Sequence, residues 1–372
     1  MIYYVDGHVH AREPQTPEFN QTVPVYTCYS MCVYMMNLEK PMDISDAGRA
    51  AKEIYDYHWS IMAVAKAYGH DHHKALVMPV MANTWTAEQL EEFISVMLRE
   101  RLPVAGLKLF TQGQSTNSGY APDVESAIPL INVAAENGIP VAFHLEDPDE
   151  PNATLKEFSA MENILPKFIM RGGKKLPGKF SIEHVSTKPG LMFAERYGVN
   201  YTLTPHHLGR NYYDFVKPGD DFTKSADAEK ILRRGAPWWF CKPLLGDRTD
   251  MRGLRDAWKG GEKNGNLMIG SDSAPHSRWK KELPDPNKRF AGIYTGDSRI
   301  SYAAAMEEEL DLETIDKLVE IYSLNTARFY GVDVGALKPA AKPCDVDVSG
   351  IEESKRVVNV LKMERENGAS RG

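Results

Sequence analysis

The stretch Tyr3-Tyr4-Val5-Asp6-Gly7-His8-Val9-His10 decides the fold class of this chain. Residues 3–8 predict a buried strand, and a histidine pair follows at its end. An open, doubly wound α/β sheet normally carries a glycine-rich phosphate loop after its first strand, and His8-Val9-His10 stands there instead. Side chains two residues apart in extended backbone point the same way. The side chains of His8 and His10 are therefore expected to point to the same side of the strand. If the strand is part of a barrel, both side chains lie at its mouth.

Short apolar segments alternate with helical patterns along the rest of the chain, and several are apolar at nearly every residue. Such segments are typical of parallel strands covered on both faces. Thr86 and Gln89 are spaced for a capping box at the start of one helix. Seven more strands are predicted at residues 25–36 (in part), 75–81, 104–110, 139–144, 179–184, 200–204 and 266–272. Helices are predicted over 86–100, 124–138, 155–170, 252–261 and 312–323.

Eight strands alternating with helices predict an α/β fold, a closed (β/α)8 TIM barrel. We expect the barrel to span residues 1–335 as one catalytic domain. Residues 336–372 are less regular, and we expect them to wrap around the barrel and end in a tail.

Composition narrows the class of protein. The chain has 372 residues, of which 42% are hydrophobic and 26% charged, as in ordinary globular proteins. The net charge is −7 and no basic stripe occurs, which argues against nucleic acid and anionic membrane as partners. No apolar run approaches the roughly 18 residues of a membrane span. The four cysteines, without a secretory signal pattern, are expected to be reduced thiols in the cytoplasm.

Residues of metal-ligand type fall at the ends of five predicted strands: His8, His10, Lys108, His144, His184 and Asp272. The C-terminal ends of barrel strands meet at the mouth where barrel enzymes carry out their chemistry. Four imidazoles and a carboxylate are too many for one catalytic zinc, which takes three protein ligands. Two metals would use them all, given a bridging ligand. A buried Lys108, kept neutral by desolvation, could add CO2 and become that anionic bridge.

Each of these residues also has a purely structural explanation. The histidine pair could be an accident of a loop, Lys108 could extend to solvent, and Asp272 could cap the next helix. Their coincidence at five strand ends favours a metal site over all of these explanations together. Residues 69–73 (GHDHH) could imitate such a site, but they precede the third strand at the opposite end, and we expect a solvated loop there.

The pattern His8-x-His10, together with Lys108, His144, His184 and residues 270–276 (GSDSAPH), resembles the dihydroorotases of the amidohydrolase superfamily. The likeness runs from about residue 5 to residue 331. It includes residues 36–38 (MNL), 108–118 (KLFTQGQSTNS), 183–188 (EHVSTK), 204–208 (TPHHL) and 241–245 (CKPLL). The first strand lies close to the N-terminus, which is similar to the shorter stand-alone bacterial type without an extra β-domain.

This resemblance implies that the barrel is of the metal-dependent hydrolase type and holds two zinc ions per subunit. One would be held by His8, His10 and Asp272, the other by His144 and His184, with Lys108 bridging as N6-carboxylysine. A bridging hydroxide would attack the cyclic amide carbonyl, and Asp272 would act as the catalytic residue that moves the proton to the ring nitrogen. The implied reaction is the reversible cyclisation of N-carbamoyl-L-aspartate to L-dihydroorotate in de novo pyrimidine biosynthesis.

Arg12 lies two residues after His10 and faces the same mouth, where its guanidinium could bind a carboxylate in two contacts. Without that neighbour it would be taken for a surface salt-bridge residue. The resemblance implies that Asn37 and His276 complete this clamp and that Ser115 and Thr116, in a mobile loop over 112–119, reach over the substrate. It also implies main-chain contacts from Lys242 and Ala291.

Two departures and two alternatives stay open. His206 stands where the family often has another residue type, and a small insertion separates His276 from Ala291. The alternatives are another cyclic amide hydrolase, acting on a hydantoin or allantoin, and an inactive homologue that acts as a scaffold. The expected partner is a small-molecule substrate, and a homodimer is expected at the family level only.

Overall fold

Eight short parallel strands form the centre of the protein. The computed structural model describes residues 3–217, 226–344 and 346–360. The strands are β1 Val5–Val9, β2 Met31–Met36, β3 Lys74–Pro79, β4 Leu107–Phe110, β5 Val141–His144, β6 Phe180–Ile182, β7 Asn200–Leu203 and β8 Leu267–Ile269. Each coincides with one of the eight predicted strands and differs from it only at the ends, where apolar alternation carries little information.

The strands close on themselves. Hydrogen bonds join β1 to β3 into one sheet and β4 to β8 into another, all in sequence order. Parallel bridges then connect the two sheets: Val77 pairs with Val104, Val80 pairs with Lys108, and Val9 pairs with Ser273 just beyond β8. Every strand therefore has a neighbour on both sides, and the predicted (β/α)8 barrel fold is confirmed.

Helices surround the barrel on the outside. They are α1 Pro17–Tyr26, α2 Ala47–Ala67, α3 Ala87–Glu100, α4 Val124–Glu136, α5 Lys156–Asn163, α6 Leu165–Ile169, α7 Lys188–Tyr197, α8 Pro205–Gly209, α9 Ala226–Gly235, α10 Arg248–Lys259, α11 Arg278–Lys281, α12 Ser298–Met306 and α13 Leu312–Phe329. The predicted capping box of Thr86 and Gln89 is present at the start of α3.

The predicted single helix over 155–170 is wrong. The helix breaks at Ile164, and α5 and α6 lie on either side of the break. Pro166 is the second residue of α6, where it needs no amide hydrogen. Inside a longer helix the same ring would clash with the preceding turn and remove a hydrogen bond. The apolar spacing alone did not reveal this interruption.

Aromatic side chains pack the helices onto the barrel. Phe143 of β5 stacks on Phe168 and on Phe180, with ring centroids 5.6 and 5.8 Å apart. Trp258 of α10 stacks on Tyr302 and meets Tyr322 edge-on. These buried rings fix the outer layer and so hold the strand ends at the mouth in place.

The C-terminal segment runs across the outside of the barrel. The backbone N–H of Ala341 donates to the carbonyl of Cys28, and that of Arg278 donates to the carbonyl of Arg356. The predicted domain boundary near residue 335 stays a prediction, and the predicted tail at 361–372 lies outside the described residues.

Among the residues that the structure describes, no helix is both long and apolar enough to cross a lipid bilayer.

Candidate active site

Three predicted metal ligands meet where the barrel closes. His8 and His10 come from the end of β1, and Asp272 follows β8. The Nε2 atoms of the two histidines lie 3.3 Å apart, and they lie 3.4 and 3.1 Å from Oδ1 of Asp272. All three side chains are buried. Three lone-pair donors that converge in this way match the donor set of a zinc ion.

Glu183 orients the first histidine. Its Oε2 lies 2.8 Å from Nδ1 of His8, and its other oxygen accepts a hydrogen bond from the hydroxyl of Ser181 at 2.6 Å. The hydroxyl of Thr202 donates to Oε2 at 3.2 Å. A carboxylate on the far nitrogen fixes the tautomer and leaves Nε2 as the free donor. The sequence analysis assigned no role to Glu183, although it lies next to His184.

The second predicted pair of histidines lies at the ends of β5 and β6. Nδ1 of His144 is 3.0 Å from Nε2 of His184. The remaining nitrogen of His144, Nε2, lies 2.8 Å from Oε2 of Glu146, which therefore orients this ring as Glu183 orients His8. Glu146 is a second residue that the sequence analysis missed.

Lys108 is fully buried between these groups. Its Nζ has no hydrogen-bond partner and lies 5.2 Å above the centroid of the Phe110 ring. Burial lowers the pKa of the amine to about 8, although the negative charges of Glu183 and Asp272 act in the opposite direction. A buried lysine without a partner is costly, and a neutral amine is the form that reacts with CO2.

Three of the imidazoles at the mouth are held neutral. Burial lowers the pKa of His8 to about 4, and the nearby charge of Lys108 adds to this shift. Burial also lowers the pKa of His10 and of His184 well below the usual value, and neighbouring Arg12 and His144 respectively reinforce the effect. Neutral imidazole is the form that binds metal ions.

Three of the predicted site residues have left-handed backbone. The φ angles are 66° at Arg12, 44° at His184 and 47° at Asp272. Side-chain-bearing residues avoid this region, and each such conformation costs about 1–3 kcal/mol. The barrel therefore imposes the conformation that turns these side chains into the mouth.

A narrow cavity opens beside the first ligand cluster. It is lined by His10, Arg12, Asn37, Ser115, Thr116, Lys242, Asp272, Ala274, Ala291 and Gly292. Six of the seven predicted substrate-binding residues thus share one cavity with two predicted metal ligands. The seventh, His276, is buried directly behind it and contacts Arg12.

Arg12 is fixed at the back of this cavity. Its Nε donates to the carbonyl of Pro275 at 3.0 Å, and its Nη2 lies 3.1 Å from Nε2 of His276. The same imidazole nitrogen lies 2.9 Å from the carbonyl oxygen of Ala291. A buried guanidinium held in this way is oriented to bind a carboxylate.

The loop over 112–119 closes the cavity from above. The side-chain amide of Asn37 donates to the carbonyl of Thr116 at 2.8 Å, and the Thr116 hydroxyl donates to the carbonyl of Ala291 at 3.3 Å. Ser115 lines the cavity beside Thr116. The loop thus bridges two walls of the cavity in this conformation.

Lys281, a buried lysine, supports the cavity wall that carries Ala291. Nζ of Lys281 donates to the carbonyls of Phe240, Phe290 and Gly292 at 3.2, 3.1 and 2.7 Å. Two of these residues flank Ala291, and Phe240 lies two positions before Lys242. Lys281 follows Arg278 and Lys280 in a basic segment that is typical of a solvated helix surface. The sequence analysis therefore missed the role of Lys281.

Two further histidine segments contain buried rings. His206 is buried, both of its ring nitrogens lack hydrogen-bond partners, and its ring lies 4.5 Å from that of His207. The prediction of a solvated loop at 69–73 is wrong for two residues. His70 and His73 are buried because they pack under the turn that follows α1, where His73 Nδ1 contacts the carbonyl of Tyr29.

Comparison with known proteins agrees with this geometry. No protein-family model matches the sequence. A dihydroorotase from Marinomonas sp. (strain MWYL1) is 27% identical over 331 residues, which cover 88% of this chain and 85% of the relative. A dihydroorotase from Salmonella typhi is 27% identical over 336 residues, which cover 88% and 84%.

Solved structures share the barrel fold. Dihydroorotase from Saccharomyces cerevisiae, in complex with 5-fluoroorotic acid, superposes with a TM-score of 0.70 at 22% identity, covering 90% of this chain and 86% of that one. D-hydantoinase from Thermus sp. gives a TM-score of 0.61 at 16% identity, covering 93% and 74%. The fold is common to both groups, whereas the sequence matches above are to dihydroorotases. Over most of its length the chain is therefore similar in sequence to dihydroorotases.

Proposed function

We propose that this protein is a dihydroorotase that interconverts N-carbamoyl-L-aspartate and L-dihydroorotate at a binuclear zinc centre. The observation that carries the proposal is the cavity in which Arg12 lies beside His10 and Asp272. It supports the proposal because a guanidinium, which could bind a carboxylate, lies next to side chains that could hold a metal ion. A cyclic amide with an exocyclic carboxylate needs a cation for the carboxylate and a metal centre for the amide, side by side in one cavity.

The residues present fit two metal ions. His8, His10 and Asp272 would hold one, and Nδ1 of His144 with Nε2 of His184 would hold the other. Among the described residues, no group of three ligand atoms from histidine, cysteine, aspartate or glutamate includes this second pair, while the Nζ of Lys108 has no hydrogen-bond partner. Carbamylation of Lys108 would supply both the missing ligand and the bridge. Zinc ions held there would lower the pKa of water and polarise the amide carbonyl.

The chain's own residues then position the substrate and move the proton. Arg12 binds the substrate carboxylate, with His276 and Asn37 beside it. Asp272 accepts the proton of the attacking water and delivers it to the ring nitrogen as the amide bond breaks. Ser115 and Thr116 close over the bound ring and exclude solvent, as the loop contacts to Asn37 and Ala291 indicate.

A structural neighbour supports a small-molecule substrate. In the yeast structure the dihydroorotase is in complex with 5-fluoroorotic acid, a flat ring with one carboxylate. Lys242 and Ala291 line the cavity here, and their main-chain atoms would contact the ring amides. The cytoplasmic location and the homodimer expected from the sequence remain predictions.

A comparative assay tests the function. Purified protein is given dihydroorotate, hydantoin and allantoin side by side, and zinc content is measured on the same sample. We expect ring opening of dihydroorotate alone, with two zinc ions at the mouth. Turnover of hydantoin or allantoin in preference would favour the other cyclic amide hydrolases. Full metal content without any turnover would favour an inactive scaffold.

A further inference from the structure

A second group of metal-ligand atoms lies at the opposite end of the barrel from the mouth. Cys28 precedes β2, His70 precedes β3, and Cys344 belongs to the C-terminal segment. The two sulfur atoms are 3.0 Å apart, and Nε2 of His70 is 3.8 Å from Sγ of Cys28. All three donor atoms lie within 4.8 Å of one another.

The hydrogen bonds around His70 leave its lone pair directed at the sulfurs. The hydroxyl of Thr27 donates to the carbonyl of Pro24 at 2.9 Å. The same hydroxyl lies 2.9 Å from Nδ1 of His70 and therefore accepts the Nδ1 hydrogen. Nε2 is then the unprotonated nitrogen, and it faces Cys28. A histidine whose far nitrogen is fixed by a hydrogen bond is the usual arrangement in metal sites.

The spacing suits a thiophilic ion. Zinc bonds of about 2.3 Å to sulfur and about 2.0 Å to nitrogen place tetrahedral donors roughly 3.5–3.8 Å apart. The contact between Cys28 and His70 has this separation, and the two sulfurs need only move apart slightly. Cys28 is buried, whereas Cys344 is partly exposed, so water can reach the fourth position and the ion has an entry path.

We infer that Cys28, His70 and Cys344 form a second metal site, for a soft divalent cation of the zinc class, distinct from the centre at the mouth. It would attach the C-terminal segment to the base of the barrel, where the backbone N–H of Ala341 already donates to the carbonyl of Cys28. The base of such a barrel serves stability, so this site is independent of the proposed activity.

A disulfide between the same two cysteines is the rival outcome. The observed separation of 3.0 Å exceeds the roughly 2.05 Å of a covalent bond between sulfurs. A disulfide would also leave the lone pair on Nε2 of His70 without a bonding partner. The metal site explains all three side chains together, and for this reason we favour it.

Cobalt substitution tests the site because the proposed ligands of the centre at the mouth offer only nitrogen and oxygen atoms. The protein, purified under reducing conditions, is loaded with Co2+, and a thiolate-to-cobalt absorption band is sought in the near ultraviolet. We expect the band in the unchanged protein and its loss in Cys344→Ser. We expect a weakened band in His70→Ala. Cys32→Ser, which removes a nearby buried thiol outside the cluster, is the matched control and should keep the band. Cys241→Ser controls for the thiol of the separate group His206, His207 and Cys241 and should keep the band.

Metal content and mass complete the test. Bound zinc should fall by one equivalent per chain in Cys344→Ser, with ring-opening activity unchanged and the melting temperature lowered. Far-ultraviolet circular dichroism of Cys344→Ser checks that the variant is folded, as expected for a substitution at a partly exposed residue. Equal zinc content in both proteins with no thiolate band would overturn the inference. So would an intact mass, under non-reducing conditions, lighter by two hydrogen atoms in the unchanged protein only.

Discussion

Glu183 and His8 lie 175 positions apart in the chain, yet their side chains meet at 2.8 Å in the centre of the barrel. Burial raises the pKa of the Glu183 carboxyl, but the hydrogen bonds from His8 and Ser181 and the positive charge of Lys108 outweigh burial and lower it overall. The ionised carboxylate thus orients an imidazole whose other nitrogen faces His10 and Asp272.

Glu183→Gln should weaken zinc binding while the barrel remains folded. The amide keeps the size of the side chain but loses the negative charge that makes His8 a good donor. We expect a loss of about 10–100-fold in zinc affinity or in kcat. Zinc competition with a chromogenic chelator measures the affinity. Unchanged affinity and rate would show that the hydrogen bond has no role in the site.

Lys108→Ala should lower bound metal and abolish turnover, because the bridging ligand is removed. A short-chain carboxylate added to the variant should restore part of the rate by taking the place of the carbamate. With the pKa lowered to about 8, about a tenth of the unmodified amine is neutral at pH 7 and most is neutral at pH 9. At a fixed concentration of dissolved CO2, reloading of metal-free protein should therefore be faster at the higher pH. Two retained zinc ions and a full rate in Lys108→Ala would contradict the bridge.

Asp272→Ala should keep the fold and lose catalysis. The carboxylate is both a ligand atom and the proposed proton carrier, and a general acid–base group contributes about 10²–10⁴-fold. We expect kcat to fall by at least that factor, measured after zinc content has been matched by added metal. A rate close to that of the unchanged protein would remove Asp272 from the proton path.

Arg12→Met should act mainly on KM. Methionine keeps much of the aliphatic volume but removes the charge and the two-point contact with the substrate carboxylate. Hydrogen bonds to charged groups contribute about 1.5–3 kcal/mol, so KM for dihydroorotate should rise by roughly 10–100-fold with a smaller change in kcat. Steady-state kinetics in both reaction directions measure this. Unaltered kinetics would favour a substrate without an exocyclic carboxylate.

Lys281→Met should disturb the substrate cavity from behind. Three buried carbonyls would lose their donor, so the free energy of unfolding should fall by about 2–4 kcal/mol. Because the residues flanking Ala291 would move, KM should rise more than kcat falls. Lys281→Arg keeps the charge and serves as the comparison that should recover part of KM. If both variants lose stability with KM unchanged, the residue is structural only.

The sequence predicts more of the backbone than of the supporting contacts. Apolar segments in alternation with helices identify all eight strands, and the ligands follow because strand ends meet at the mouth. Glu183, Glu146 and Lys281 were missed because their roles depend on partners brought together only by the closed barrel. A glutamate beside His184 at a strand end was a usable signal. The buried state of His70 was hidden because its segment reads as a polar loop.

The pairing of Val9 with Ser273 has a consequence for synthesis of the protein. His8 and His10 leave the ribosome more than 260 residues before their carboxylate partner, Asp272. A nascent chain that ends before Ser273 cannot form the complete pocket. A newly made chain therefore has no complete pocket until its first and last strands have paired and the barrel has closed.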